Sequence, residues 1–161
     1  MPVKKALKLY LDTSIFNFAI SKQGVEAEQA VTLKLLDQIR NEQFETFVSE
    51  VVLREIARAK ADKQRDLLDV MKGLPLENLL MTPETESLAD KYIEEKIIPA
   101  RYRDDALHMA VASVYHLDVV VSWNFEHLVK VKTRREVQGV NTMMGYHTID
   151  LATPTEVMHD E

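Results

Sequence analysis

Three acidic side chains of this sequence stand where their neighbours predict burial. Asp12 directly follows an apolar run typical of a strand, and Glu55 and Asp105 project into the apolar arcs of two predicted helices. A buried carboxylate is costly unless it is paired, hydrogen-bonded or bound to a metal, and no equally buried Lys or Arg accompanies these three. Hard carboxylate oxygens favour Mg²⁺ or Mn²⁺, which can polarise a phosphoryl oxygen and activate a water. The pattern therefore predicts a divalent-metal site for phosphodiester hydrolysis.

Each of the three acids also has a purely structural explanation. Asp12 could cap a helix that starts at Ser14. Asp105 could be favoured by the helix dipole in its first turn, and Glu55 could reach solvent. One at a time, these explanations are at least as good as a metal role. Together they leave the coincidence of three such acids unexplained, so both interpretations stay open at the level of the residues.

The elements that must position these side chains alternate between strand and helix. Strands are predicted at residues 6–11, 44–49, 77–81, 117–122 and 146–151. Helices are predicted at residues 26–42, 49–60, 62–72, from 83 onward, 104–116 and within 124–144, with a further start in the segment TPTEV. This alternation predicts an α/β fold, with a parallel sheet of about four to five strands sandwiched by helices. Asp12 and Asn124 follow two of the strands and are expected at the same edge of the sheet.

Helical projections predict which faces of the helices are buried. In the helix at 26–42, the buried face would carry Ala30, Leu33, Leu36 and Ile39. In the helix at 49–60, the buried arc would hold Val52, Leu53, Ile56 and Ala59, extended on one side by Val51, with Glu50, Arg54 and Arg58 facing solvent. The helix at 104–116 is apolar almost all round, with Asp104 and His108 on its only polar strip. We therefore expect this last helix to be central and buried.

Composition restricts the class of protein further. The 161 residues carry a formal net charge of -6 and no cysteine, which excludes a disulfide framework, a thiolate metal site and a thiol nucleophile. Only four glycines occur, and none forms a phosphate-binding loop of the GxGxxG or Walker type. No window is apolar enough to span a membrane. A single cytoplasmic domain over residues 1–161, without a membrane partner, is therefore expected.

Four segments together resemble the PIN-domain family in their order and spacing. They are LYLDTSIFN, SEVVLREI, RDDALHMAVA and VVVSWNFEHL, and the similarity extends from about residue 7 to the TPTEV segment. Within the family, the sequence is most similar to the VapC-like ribonuclease toxins of type II toxin–antitoxin systems. The resemblance implies a Rossmann-like PIN domain with an acidic Mg²⁺ or Mn²⁺ site and endoribonuclease activity on RNA. It also implies a homodimer that is inhibited by a small antitoxin protein.

The resemblance assigns roles to particular residues of this chain. It makes Asp12, Glu55 and Asp105 the metal ligands, and it places Asn124 at a fourth catalytic position where many members of the family have Asp. The amide leaves the site one negative charge poorer, although its oxygen can still coordinate an ion or orient a water. Asp104 is the rival of Asp105, but the family pattern has its acid directly before Ala-Leu, which favours Asp105.

Further residues are expected to support the carboxylates or to hold RNA. The candidates are Thr13, Ser14, Ser122, Asp104, His108, Arg101 and Arg103. The hydroxyls and the histidine can donate hydrogen bonds to carboxylates. The two arginines just before Asp105 could border the acidic mouth and bind phosphates of the RNA backbone.

Two other functions compete with metal-dependent RNA hydrolysis. Asn124 and the acidic net charge motivate an alternative, a catalytically weak PIN domain that acts as a nucleic-acid- or protein-binding module. A phosphatase or receiver domain that forms an aspartyl phosphate also begins with an acid at a strand end. The haloacid-type signature requires a second Asp two residues later, however, and Ser14 occupies that position. The sequence thus predicts a metal-dependent endoribonuclease, with the binding module as its alternative.

Overall fold

A five-stranded parallel sheet forms the centre of the protein. The structure, a computed structural model, describes residues 5–159. Its strands are β1 (Lys8–Leu11), β2 (Glu45–Ser49), β3 (Leu76–Leu79), β4 (Val119–Val121) and β5 (Asp150–Ala152). They lie in the order β3-β2-β1-β4-β5, and each neighbouring pair is parallel. The predicted α/β architecture with a parallel sheet is confirmed.

Helices flank this sheet in two packed groups. The helices of the described chain are α1 (Thr13–Ile20), α2 (Glu26–Arg40), α3 (Glu50–Ala57), α4 (Ala61–Lys72), α5 (Pro83–Glu94), α6 (Arg103–Val114), α7 (Val131–Met144) and α8 (Pro154–Val157), with a 3₁₀ turn at Ala100–Tyr102. Helix α1 packs on α2 and α4, whereas α5 packs on α6 and α7. Among residues 5–159, no helix is both long enough and apolar enough to cross a membrane.

The strand and helix boundaries follow local signals in the sequence. All three residues of β4 are buried, as expected for a valine run covered on both faces of a parallel sheet. Ser49 caps α3 by accepting a hydrogen bond from Val51 N, and Thr82 and Thr85 form a capping box in front of α5. Helix α7 begins only at residue 131 and β5 only at residue 150, later than the sequence predicts.

The buried face of α2 differs from the prediction. Thr32, Leu35, Leu36 and Ile39 are the residues buried on this helix. Ala30 is exposed and Leu33 is 47% exposed, so the predicted face is wrong in these two positions. The indole Nε1–H of Trp123 donates to Thr32 Oγ1 over 2.8 Å. This buried hydrogen bond turns the threonine inward and fixes the rotation of the helix.

Helix α3 is also rotated relative to the prediction. Val51, Val52 and Ile56 are buried, whereas Leu53 is 37% exposed rather than part of the core. Glu50, predicted to face solvent, instead accepts a hydrogen bond of 2.6 Å from the backbone N–H of Met81, which follows β3. This contact ties the first turn of α3 to the neighbouring strand and turns Val51 inward.

Helix α6 is the central helix that the sequence predicts. Its residues from 106 to 113 are all buried, including His108 and Ser113. The strip that carries Asp104 and His108 faces α3 instead of solvent, since both side chains bind residues of that helix. The residues of the predicted polar strip therefore form part of the contact between α3 and α6.

Candidate active site

Asp12 lies at the carboxyl end of the central strand and is held by serine donors. Its side chain is 3% exposed, and its Oδ1 accepts hydrogen bonds from Ser14 N (3.1 Å) and Ser14 Oγ (2.5 Å). Its Oδ2 accepts from Ser122 Oγ (2.5 Å). Burial raises the pKa of Asp12 above its usual range, against the opposing effects of the His108 charge and of the serine hydroxyls. Asp12 thus caps α1, as the structural explanation proposed, and also stands at the sheet edge where a site would form.

Asp105 and Asn124 meet at the same sheet edge. Asn124 Nδ2 donates to Asp105 Oδ2 over 3.2 Å, and Asn124 Oδ1 accepts from His127 N over 3.0 Å. This orientation of the amide follows from chemistry, since an ionised carboxylate only accepts and a backbone N–H only donates. Asn124 thus holds Asp105 and the loop after β4, with its amide oxygen occupied by the loop.

Burial is also the main influence on the acidity of Asp105. It raises the pKa of Asp105 to about 6, and the charges of Asp12 and Glu55 act in the same direction. The charge of His108 and the Asn124 hydrogen bond oppose this rise. Asp12 and Glu55 therefore lie near enough to Asp105 to disfavour its ionisation.

Glu55 lies on α3 with one oxygen fully occupied. Thr13 Oγ1 donates to Glu55 Oε1 over 2.9 Å, and His108 Nε2 lies 2.6 Å from the same oxygen. The side chain of Glu55 is 27% exposed, so the carboxylate reaches the site rather than the open solvent. Within residues 5–159, no hydrogen-bond donor contacts Oε2 of Glu55 or Oδ1 of Asp105.

His108 lies buried beside the acidic cluster and contacts Glu55. The residue is 1% exposed, and its Nδ1 lies 2.5 Å from the hydroxyl of Tyr10. Burial lowers the pKa of His108, but the hydrogen bond to Glu55 and the charges of Asp12 and Asp105 outweigh burial and raise it overall. When protonated, the histidine offsets part of the repulsion among the three acids.

Asp104 pairs with two arginines. Arg58 Nη1 donates to Asp104 Oδ2 over 2.7 Å, and Arg54 Nη2 lies 3.6 Å from Asp104 Oδ1. The two neighbouring acids of α6 thus have different surroundings. Asp105 faces the other carboxylates, whereas Asp104 binds guanidinium groups on α3.

A cavity of about 460 Å³ opens beside the acids. Its charged lining residues are Arg54, Arg58, Arg101, Arg103, Glu55, Glu86, Asp104 and Asp105. Arg101 and Arg103 border it as the sequence predicts, and Arg103 pairs with Asp90. The projection of α3 instead predicted that Arg54 and Arg58 face solvent. Both arginines lie close to Glu55 in the sequence, and this spacing is the signal that could have placed them beside the cavity.

The donor chemistry of this site fits a hard divalent cation. Among residues 5–159, no three His, Asp or Glu side chains are arranged to ligate one ion as they stand. The carboxylates of Asp12, Glu55 and Asp105 nevertheless lie together with only one histidine to offset their charge. An oxygen of Glu55 and an oxygen of Asp105 carry no hydrogen bond within the described chain. A divalent ion would use these oxygens and relieve the charge repulsion, which adds to burial in raising the pKa of Asp105.

Comparison with known proteins identifies the fold. No protein-family model matches the sequence, and no curated protein matches it either. The structure of VapBC2 from Rickettsia felis, bound to a DNA fragment from its promoter, contains a chain that superposes with a TM-score of 0.57 at 16% identity. The match covers 91% of this chain and 98% of that one. The two chains share one fold.

That match confirms the PIN-type α/β fold which the sequence predicts. A VapBC-5 structure from Mycobacterium tuberculosis also matches, with a TM-score of 0.49 at 16% identity over 91% of this chain and 98% of that one. At these identities the likeness concerns the fold alone. The roles of the site residues remain predictions that depend on the geometry described above.

One member of the site could not be singled out from the sequence as a functional residue. Tyr10 belongs to the apolar run of β1, and a tyrosine in such a run is expected to pack in the core. It stands two residues before Asp12, so the two side chains project to the same face of the strand. This two-residue spacing is the sequence signal that could have indicated Tyr10 as part of the site.

Proposed function

We propose that this protein is a Mg²⁺- or Mn²⁺-dependent endoribonuclease. The observation that carries the proposal is the convergence of three buried or half-buried carboxylates at the carboxyl edge of a parallel sheet, next to an arginine-lined cavity. Asp12, Glu55 and Asp105 would hold the ion, and Asn124 would position Asp105. When bound, the ion would polarise a phosphoryl oxygen and lower the pKa of a water for attack.

The remaining residues of the site would bind and orient the RNA. Guanidinium groups match phosphate oxygens with two parallel hydrogen bonds, and Arg54 and Arg58 are already oriented by Asp104. A strand lying along their cavity brings the next phosphate to Glu55 and Asp105, which share the cavity wall. Attack of water forms a new P–O bond and breaks the bond to O3′. The products carry a 5′-phosphate and a 3′-hydroxyl.

We also propose that the nuclease is the toxin of a type II toxin–antitoxin module. The support is the fold shared with VapBC2, whose structure was solved with promoter DNA, together with the four sequence segments that resemble VapC-like toxins. On this proposal the partners are an RNA substrate, a second copy of the chain in a homodimer and a small antitoxin protein. The site of action would be the cytoplasm.

Cleavage of a labelled single-stranded RNA by the purified protein tests the proposal. Wild type should cleave with Mn²⁺ and stop on addition of EDTA, and Asp12→Ala should be inactive. Asp69→Ala is the matched control, since Asp69 is an exposed acid on α4, and it should cleave like wild type. A DNA oligonucleotide of the same sequence should remain intact.

Two results would contradict the proposal. One is activity that survives both EDTA and Asp12→Ala, which would point to a contaminating nuclease or to another site. The other is a wild-type protein that neither cleaves RNA nor binds Mn²⁺ saturably. That second result would favour the binding-module alternative, whose specific support is the amide of Asn124 in place of a fourth carboxylate.

A further inference from the structure

A buried chain of hydrogen bonds runs from the start of α3 through the sheet to α6. Val51 N–H donates to Ser49 Oγ (3.1 Å), and Ser49 Oγ lies 2.7 Å from the Tyr10 hydroxyl. That hydroxyl lies 2.5 Å from His108 Nδ1, and His108 Nε2 lies 2.6 Å from Glu55 Oε1. Ser49 and Tyr10 are 0% exposed and His108 is 1% exposed, so water does not compete for these bonds.

This chain of hydrogen bonds ends on Glu55 whether His108 is neutral or protonated. The ionised carboxylate has no proton to donate, so the Nε2–H of His108 must be the donor in their hydrogen bond. The hydroxyl of Tyr10 fixes the ring from the other side by binding Nδ1. Ring rotation would break both bonds in a place where no solvent can replace them, which makes the orientation of His108 rigid.

A rigid histidine in turn fixes which oxygen of Glu55 is left without a donor. Oε1 receives two donors, from Thr13 and His108, and both of its lone pairs are used. Oε2 is then the oxygen without a donor in the described chain. The pair of donors selects one rotation of the carboxylate and leaves one oxygen for a cation.

We propose that Tyr10 and His108 are positioning residues for the metal ligand Glu55, with the Tyr10 hydroxyl acting through the histidine. The proposal rests on the proposed function, since it needs a divalent ion at this site. Partners that orient ligating carboxylates typically contribute 10–100-fold to metal affinity or activity. The Tyr10 hydroxyl therefore has a role beyond packing, since a phenylalanine would be sufficient to pack in β1.

Tyr92, elsewhere in the protein, offers a matched control for Tyr10. This tyrosine is also 0% exposed, and its hydroxyl also binds two side chains, Ser113 and Asn141. Neither partner belongs to the acidic cluster. Tyr10→Phe and Tyr92→Phe thus remove the same atom from equally buried positions, and only the first removal should reach the metal site.

The test measures two quantities for both variants. One is the Mn²⁺ affinity, by isothermal titration calorimetry, and the other is the urea concentration at the midpoint of unfolding in EDTA. The two midpoints should fall by similar amounts. Tyr10→Phe should weaken Mn²⁺ binding about tenfold, whereas Tyr92→Phe should stay within about twofold of wild type. RNA cleavage by Tyr10→Phe should be slow at limiting Mn²⁺ and approach the wild-type rate at saturating Mn²⁺.

A second pair of variants keeps the inference testable if Tyr10→Phe does not fold. His108→Gln retains an N–H that can reach Glu55, and it should bind Mn²⁺ better than His108→Leu by about tenfold. Equal Mn²⁺ affinity in Tyr10→Phe and wild type, or in the two His108 variants, would overturn the positioning role. Failure of wild type to bind Mn²⁺ is a different result, because it overturns the proposed function itself.

Discussion

Replacing Asp105 with asparagine should stabilise the metal-free protein while it inactivates the enzyme. Burial and the nearby carboxylates raise the pKa of Asp105 from 3.8 to about 6. A rise of about two pH units corresponds to ~3 kcal/mol that the folded state loses when this group ionises. The asparagine side chain would keep an acceptor for Asn124 and carry no charge. The free energy of unfolding at pH 7.5 should therefore rise by up to ~3 kcal/mol, or ~6–12 °C in Tm for a chain of this size.

The pH dependence of this gain distinguishes it from an unrelated packing effect. Between about pH 4 and 6, Asp105 is protonated in the folded state and ionised in the unfolded state. The folded state then binds more protons, so the stability of wild type falls as the pH rises through this window. The difference between Asp105→Asn and wild type should be near zero below about pH 4 and reach its plateau above about pH 7.

Urea denaturation in EDTA, measured from pH 3.5 to 8, gives both quantities. Asp104→Asn is the control, because its carboxylate lies in the same turn of α6 but binds Arg54 and Arg58, and it should give no gain at pH 7.5. An Asp105→Asn variant that is less stable than wild type at pH 7.5 would refute the reasoning. So would a gain that is the same at every pH.

Two further predictions concern the charge of the site and its cavity. Asn124→Asp puts a fourth carboxylate next to Asp105, whose Oδ2 now lies 3.2 Å from Asn124 Nδ2. The variant should have a lower Tm in EDTA and bind Mn²⁺ about tenfold more tightly, and a thermal-shift series with Mn²⁺ measures both. Mn²⁺ binding that is no tighter in that variant than in wild type would show that the side chain at position 124 does not reach the ion. The double variant Arg54→Gln, Arg58→Gln should raise KM for RNA with kcat unchanged. A plot of the logarithm of the RNA binding constant against the logarithm of the salt concentration should also become shallower, by ~0.7 for each phosphate that the variant no longer binds. A fall in kcat at unchanged KM would place the two arginines at the reacting phosphate instead.

The sequence predicts the parts of this fold that depend on local pattern. The valine run of β4, the serine cap of α3 and the all-round apolar pattern of α6 are each readable along the chain, because strand, cap and buried helix have their own residue preferences. The order of the parallel strands then brings Asp12 and Asn124 to one edge. The roles assigned to them there are still predictions.

The features that the sequence did not reveal depend on contacts between distant segments. The rotation of α2 follows from the bond between Thr32 and Trp123, which are 91 positions apart. The environment of His108 follows from Tyr10, 98 positions away. Periodicity reports only whether a helix face is apolar. A polar side chain that finds a buried partner elsewhere in the chain is therefore assigned to solvent, as Glu50 was.

Anomalous diffraction from a crystal soaked in Mn²⁺ tests the central claim most directly. We expect one strong Mn²⁺ peak within coordination distance of Asp12, Glu55 and Asp105, and no peak at this position in crystals of Asp12→Ala. A Mn²⁺ peak elsewhere, or a protein that cleaves RNA with no ion among these three carboxylates, would contradict the account.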